Sequence, residues 1–138
     1  MSNSDQNKKT ARRLYDEVIT DKRLEVIDEI VAEDSTDQAS PAGGVHGREG
    51  FRQHIGWLIG ATEDLTATVD DLIAEDDRVV VYWTIDAIQR AEIFGAPDSG
   101  RRFHGQSISL ISFKDGQITD YTVLPDRLTI VQQLTGVA

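Results

Sequence analysis

Lys114-Asp115-Gly116-Gln117 lies between two extended apolar runs, Arg101 to Phe113 and Ile118 to Leu124. Asp-Gly between two strand-like stretches predicts a β-hairpin, because glycine accepts the positive φ that tight hairpin turns require. Two long antiparallel strands are therefore expected here, and every other element has to pack against them. The second strand stops at Pro125-Asp126. Leu128, Val131 and Leu134 then recur at helical spacing, so a closing helix over Asp126 to Leu134 is expected to fold back on the sheet.

Upstream, Ala11, Leu14, Tyr15, Val18 and Ile19 recur at intervals of three and four from Lys8 onward, opposite Arg12, Arg13, Asp16 and Glu17. This predicts an amphipathic helix with one buried stripe. Residues 1–7 are polar and expected to fray. Asp21 is a candidate cap for a second short helix pointing Leu24, Ile27, Ile30 and Val31 one way. Glu33 to Val45 reads as a short extended piece and a loop. Gly47 to Ala61 is helical again, with Phe51, His54, Ile55 and Leu58 on one stripe. Leu65, Ala67 and Val69 alternate, and the phase shifts after Asp70-Asp71, which predicts a bulge in a strand. Asp76-Asp77 turns the chain into the β-rich run Arg78 to Ile88, and Gln89 to Gly100 reads as a loop. Helices followed by a meander of four long strands predict an α+β layer architecture. The expected form is a cone: a curved antiparallel sheet wrapped around the N-terminal helices, with an open mouth.

A length of 138 residues bounds this to a single domain with room for a core and a pocket. No apolar run is long enough to span a bilayer, and Met1 to Gln6 has no basic region followed by an apolar core, so a cytoplasmic protein is expected. The absence of cysteine excludes disulfides, thiolate metal sites and a cysteine nucleophile. A net charge of −10 with scattered Lys and Arg argues against a nucleic-acid partner, and solubility accounts for it better than a cation-binding surface.

Several runs, in order, carry a resemblance to a known family: Gly50-Phe51-Arg52 leading into Gly56-Trp57, Asp77 to Thr84, Gly100-Arg101-Arg102-Phe103, Asp115 to Ile118, and Asp126-Arg127-Leu128 with Gln132-Gln133-Leu134. Together they resemble the SnoaL-like polyketide cyclases of the nuclear-transport-factor-like superfamily, over nearly the whole chain. The resemblance implies a cystatin-like α+β barrel, a homodimer through the outer sheet face, and a small organic ligand bound without a metal or redox cofactor. It also implies ring closure by intramolecular aldol condensation. In such enzymes an aspartate on the last strand is the acid/base, and its position here is Val123; a histidine on the preceding strand falls at Ser109.

Cofactor-free chemistry of this kind removes a proton next to a carbonyl and stabilises the enolate, so it needs a tuned base and hydrogen-bond donors in a dry pocket. If Val81, Trp83 and Ile85 point inward, alternation puts Ser107, Ser109, Ile111, Tyr121 and Val123 on the same face. His54 is the candidate base because it alone among the histidines lies on an apolar helical stripe; the alternative is a neutral core histidine. Asp37 is the second candidate, since the resemblance puts a polar pocket residue there; a local Asx turn is the alternative. Tyr121 is placed to donate to an oxyanion or simply to pack, and Trp57 and Trp83 offer flat area to a fused-ring ligand. Ser107 and Ser109 count as small lining residues, because neither has a recognisable activating base. Asp126 reads as a helix cap, and His46, His54 and His104 lack metal-ligand spacing, so no metal site is expected.

The expected function is thus cofactor-independent cyclisation or isomerisation of a hydrophobic, polyketide-like or polycyclic metabolite. One rival is an epoxide hydrolase or hydratase using Asp37 and Asp126; another is a non-catalytic binding or assembly module, to which Val123 points. On the outward phase His104, Gln106, Ile108 and Leu110 include two aliphatic residues, which a homodimer would cover.

Overall fold

A computed structural model describes residues 3–38 and 46–136. Helix α1, Asn3–Arg13, runs straight into a wider π-helical stretch, Leu14–Thr20. Ala11, Leu14, Tyr15, Val18 and Ile19 are all buried, so the apolar stripe is the packing face. The helix starts five residues before the expected Lys8, and Asn7 is buried rather than frayed, because this first turn packs on the sheet. Asp21 does not cap a second helix. A 3₁₀ turn, Leu24–Val26, and a single α-helical turn, α2 (Ile27–Ile30), follow instead, and Val31 already belongs to a strand. The β-branched Val26, Ile27, Ile30 and Val31 have little χ1 freedom in a helix and pack well on a pleated surface, which accounts for the early switch.

That strand, β1 (Val31–Asp37), changes the sheet. β2 (Thr62–Glu75), β3 (Arg78–Gln89), β4 (Arg102–Lys114) and β5 (Gln117–Pro125) form the antiparallel meander. β1 joins it alongside β5 in parallel, giving a mixed sheet of five strands in the order β1-β5-β4-β3-β2. The sheet is therefore not wholly antiparallel as expected: a short extended piece carries no sequence mark of its partner. Asp115 and Gly116 have φ of 52° and 79°, as the tight β4–β5 turn demands. The pairing of β2 with β3 slips between Val69 and Asp71, where the phase change occurs, and again between Glu63 and Thr66.

Helix α3 (Gly47–Gly60) packs on β1. Its first residue has φ +74°, and a Cβ there would lie 2.6 Å from the Glu33 carbonyl oxygen, so only glycine allows this approach. Helix α4 (Arg127–Thr135) closes over β4. Gly105 makes room for it, since a Cβ would come within 2.6 Å of Ile130 Cγ1. The loop of residues 90–101 hangs on one buried side chain. The Gln89 amide donates to the carbonyls of Ala91 and Ala96 and accepts from Ser99 N and Oγ, so all four of its hydrogen-bonding positions are used. No helix among the described residues is long and apolar enough to cross a membrane.

Candidate functional site

The inner face of β3 carries Val81, Trp83 and Ile85, paired with Ser109, Ser107 and Gly105 of β4, and Ile111 and Tyr121 continue the same layer. Between this face, α3, the loop of residues 90–101 and the start of α4 lies a cavity of about 500 Å³. Its wall is mainly apolar, with Ile55, Leu58, Trp83, Ile85, Phe103 and Val123. The polar side chains reaching it are Gln53, His54, Ser107, Tyr121 and Arg127.

His54 and Asp37 come together. Helical spacing turns His54 with Phe51 and Ile55 toward the sheet, while parallel pairing sets Asp37 beside Tyr121 at the end of β1. His54 Nδ1 lies 2.7 Å from Asp37 Oδ2. The Asp37 side chain is 3% exposed and the imidazole 21% exposed, so the carboxylate sits behind the ring, which itself lines the cavity. A carboxylate only accepts, so Nδ1 is the donating nitrogen of this pair, and Nε2 is the ring nitrogen not engaged by Asp37. The seven-residue stretch 39–45 between these two elements lies outside the described residues, and with it most of the loop expected there.

A second hydrogen-bonded chain runs beneath the wall. Trp83 Nε1 donates to Ser109 Oγ at 3.0 Å, and Ser109 Oγ lies 3.2 Å from Tyr121 Oη. An indole N–H only donates, so the Ser109 hydrogen is free to go to Tyr121, which leaves the phenol its own hydrogen to give. Burial, reinforced by the Asp37 charge and offset by Ser109 and Tyr15, pushes the Tyr121 pKa up to about 12. The phenol is thus neutral and a donor at ordinary pH. Tyr15 packs its ring 5.0 Å from Trp83, and burial also holds its hydroxyl well above the usual range. Tyr15 Oη lies beside Ser109 and Tyr121.

Trp57, Trp83, Ser107, Tyr121 and Val123 reach the cavity, Trp57 from its exposed rim. Ser109 does not: it is fully buried behind the wall, because its hydroxyl is committed to Trp83 and Tyr121. Asp126 stays outside as the cap of α4, accepting from Thr129 N at 3.1 Å and Thr129 Oγ1 at 2.7 Å, which lowers its pKa. Asp37 and Asp126 therefore do not form the carboxylate pair that a hydrolase reading requires. No group of three or more His, Asp or Glu among the described residues is arranged to hold a metal ion. Gln53, Phe94 and Arg127 also line the cavity, a position the sequence pattern does not mark. Gln53 sits one residue off the apolar stripe and Arg127 one residue past a helix cap, and neither pattern marks a pocket.

Residues 9–134 match the model of the SnoaL-like polyketide cyclases. The chain is 29% identical over 115 residues to nogalonic acid methyl ester cyclase of Streptomyces nogalater, covering 81% of this chain and 85% of that one. It is 32% identical over 92 residues to aklanonic acid methyl ester cyclase DnrD of Streptomyces peucetius, covering 65% and 63% of the two chains. The structure of TsrD from Streptomyces laurentii superposes with a TM-score of 0.82 at 26% identity, covering 98% of this chain and 96% of that one.

Proposed function

We propose a function from one premise: the chain belongs to the SnoaL-like polyketide cyclase family. It is a cofactor-independent acid/base enzyme that cyclises or isomerises a hydrophobic, polyketide-like or polycyclic metabolite in the cytoplasm. The observation that carries this is the His54–Asp37 pair, 2.7 Å apart, opening into an apolar cavity. Nε2 of His54 takes a proton from a carbon next to a carbonyl. Asp37 holds the productive tautomer and stabilises the imidazolium that forms. Tyr121, a neutral donor, stabilises the enolate oxygen in a site where apolar walls strengthen each hydrogen bond. In ring closure the enolate carbon bonds to a second carbonyl of the same molecule, and the new alkoxide takes the proton back from His54. In isomerisation the proton returns to another carbon. The two relatives are named as cyclases of methyl esters, which supports the ring-closing form. Because Val123 occupies the position of the usual cyclase aspartate, the acid/base function here moves from the last strand to α3.

The test is turnover of aklanonic acid methyl ester or nogalonic acid methyl ester, with His54→Ala and Asp37→Ala variants. We expect His54→Ala to lower kcat/KM by about 10²- to 10⁴-fold while ligand binding persists. Unchanged turnover in both variants would remove the pair from the mechanism. Val123 favours a second reading, a ligand-binding module without catalysis, which predicts saturable binding with no turnover by the wild type.

The proposed assembly is a homodimer through the outer sheet face. Ile108, Leu110 and Leu124 are exposed there, and Ile108 and Leu124 are direct cross-strand neighbours.

A further inference from the structure

Resting on the reading of the cavity as a substrate site, we infer that the substrate is an acid: an apolar ring system carrying a free carboxylate that sits at the mouth against Arg127. The chain is strongly acidic, and half of its ten arginines are already neutralised. Arg13, Arg23, Arg52, Arg90 and Arg102 each hold a carboxylate. Arg127 lines the cavity and, among the described residues, forms no ion pair; its guanidinium instead lies 4.8 Å over the Phe94 ring. Its chain neighbour Asp126 is turned away and bonded to Thr129 N and Oγ1.

Phe94 supplies the independent observation. It has φ +50°, a conformation a bulky side chain rarely adopts, in a loop fixed by the Gln89 amide. The fold thus accepts local strain to set an aromatic shelf under a cation at the entrance. A guanidinium resting on a ring keeps its N–H edge free, and that edge matches a carboxylate in a bidentate fork. An ester presents no charge to it. The cavity in turn demands an apolar body, and the buried Asp37 disfavours a second anion at the inner end. This separates the substrate class from the methyl esters in the relatives' names.

The experiment compares anthraquinone-2-carboxylate with its methyl ester, by quenching of the fluorescence of Trp57 and Trp83, in wild type, Arg127→Gln, Arg127→Lys and His54→Ala. Arg127 is solvent-exposed, so the expected preference of the wild type for the acid is about 3- to 10-fold at low salt, shrinking as salt is added. Arg127→Gln equalises the two ligands without weakening the ester, Arg127→Lys restores part of the preference, and His54→Ala keeps it. Equal affinities in the wild type, or an Arg127→Gln variant that loses acid and ester alike, overturn the inference and leave the acid/base reading standing. If neither compound binds, the inference falls together with the polycyclic-substrate reading. An intact acid preference beside turnover indifferent to His54 upholds the inference and removes only the base.

Discussion

Replacing Ser109 by alanine removes a single oxygen from the least exposed part of the site. That oxygen accepts the Trp83 N–H at 3.0 Å and meets the Tyr121 hydroxyl at 3.2 Å, and all three residues are buried. Alanine leaves the indole N–H without the Ser109 acceptor and takes the Ser109 hydroxyl away from the phenol. Each orphaned buried group costs about 1–3 kcal/mol, so with two of them the variant should lose about 2–6 kcal/mol, a large share of a marginal total. Urea melts followed by fluorescence and circular dichroism measure the loss; the midpoint should fall with an unchanged slope. The double variant Trp83→Phe/Ser109→Ala removes donor and acceptor together and should cost less than the two single changes combined, by about 1–2 kcal/mol. A loss below about 0.5 kcal/mol for Ser109→Ala, or strict additivity in the cycle, would refute the account of Ser109 as the junction that orients Tyr121.

The raised Tyr121 pKa sets an alkaline limit. The folded chain holds this proton from its ordinary value of 10.0 up to about 12, whereas the unfolded chain has released it. Stability from this group is fully present below pH 10.0 and is lost as pH rises toward about 12, by about 2–3 kcal/mol, with Tyr15 acting in the same direction. A phenolate absorbance titration should show these two tyrosines ionising only as the protein unfolds; ionisation near pH 10.0 with the fold intact contradicts this. Gly47→Ala forces a Cβ to within 2.6 Å of Glu33 O at positive φ, so about 1–3 kcal/mol should be lost, along with turnover, as α3 lifts from β1. Thermal melts and kinetics together check it, and a variant with unchanged Tm contradicts the close-approach argument. Light scattering at micromolar concentration should give the mass of two chains for the wild type and of one for Leu124→Glu; a monomeric wild type counts directly against the outer-face dimer.

Local sequence signals were legible wherever the physics is local. The Asp115-Gly116 turn, the phase change after Asp70-Asp71, the stripe on α3 and the Asp126 cap each depend on a few neighbouring residues, and each is where the pattern put it. Pairing between distant segments was not legible. Nothing in Val31–Asp37 states that it lies parallel to β5, and the loop of residues 90–101 reads as unstructured until Gln89 is seen to hold it. His54 was found from its stripe and Asp37 from the family resemblance. Their contact could not be, because it depends on β1 reaching the edge of the sheet. The place of Arg127 in the cavity wall is illegible for the same reason: a cation beside a cap looks like surface until the loop brings Phe94 beneath it.

The parallel pairing of β1 with β5 also ties the working groups to the order in which the chain is finished. Asp37 arises early and Tyr121 late, and their register is set only once the last strand is in place. Contacts so far apart in sequence form late and slowly. A nascent or C-terminally truncated polypeptide therefore has no half-built site, and the first appearance of ligand binding in a refolding trace would mark arrival of the complete native topology rather than of any intermediate.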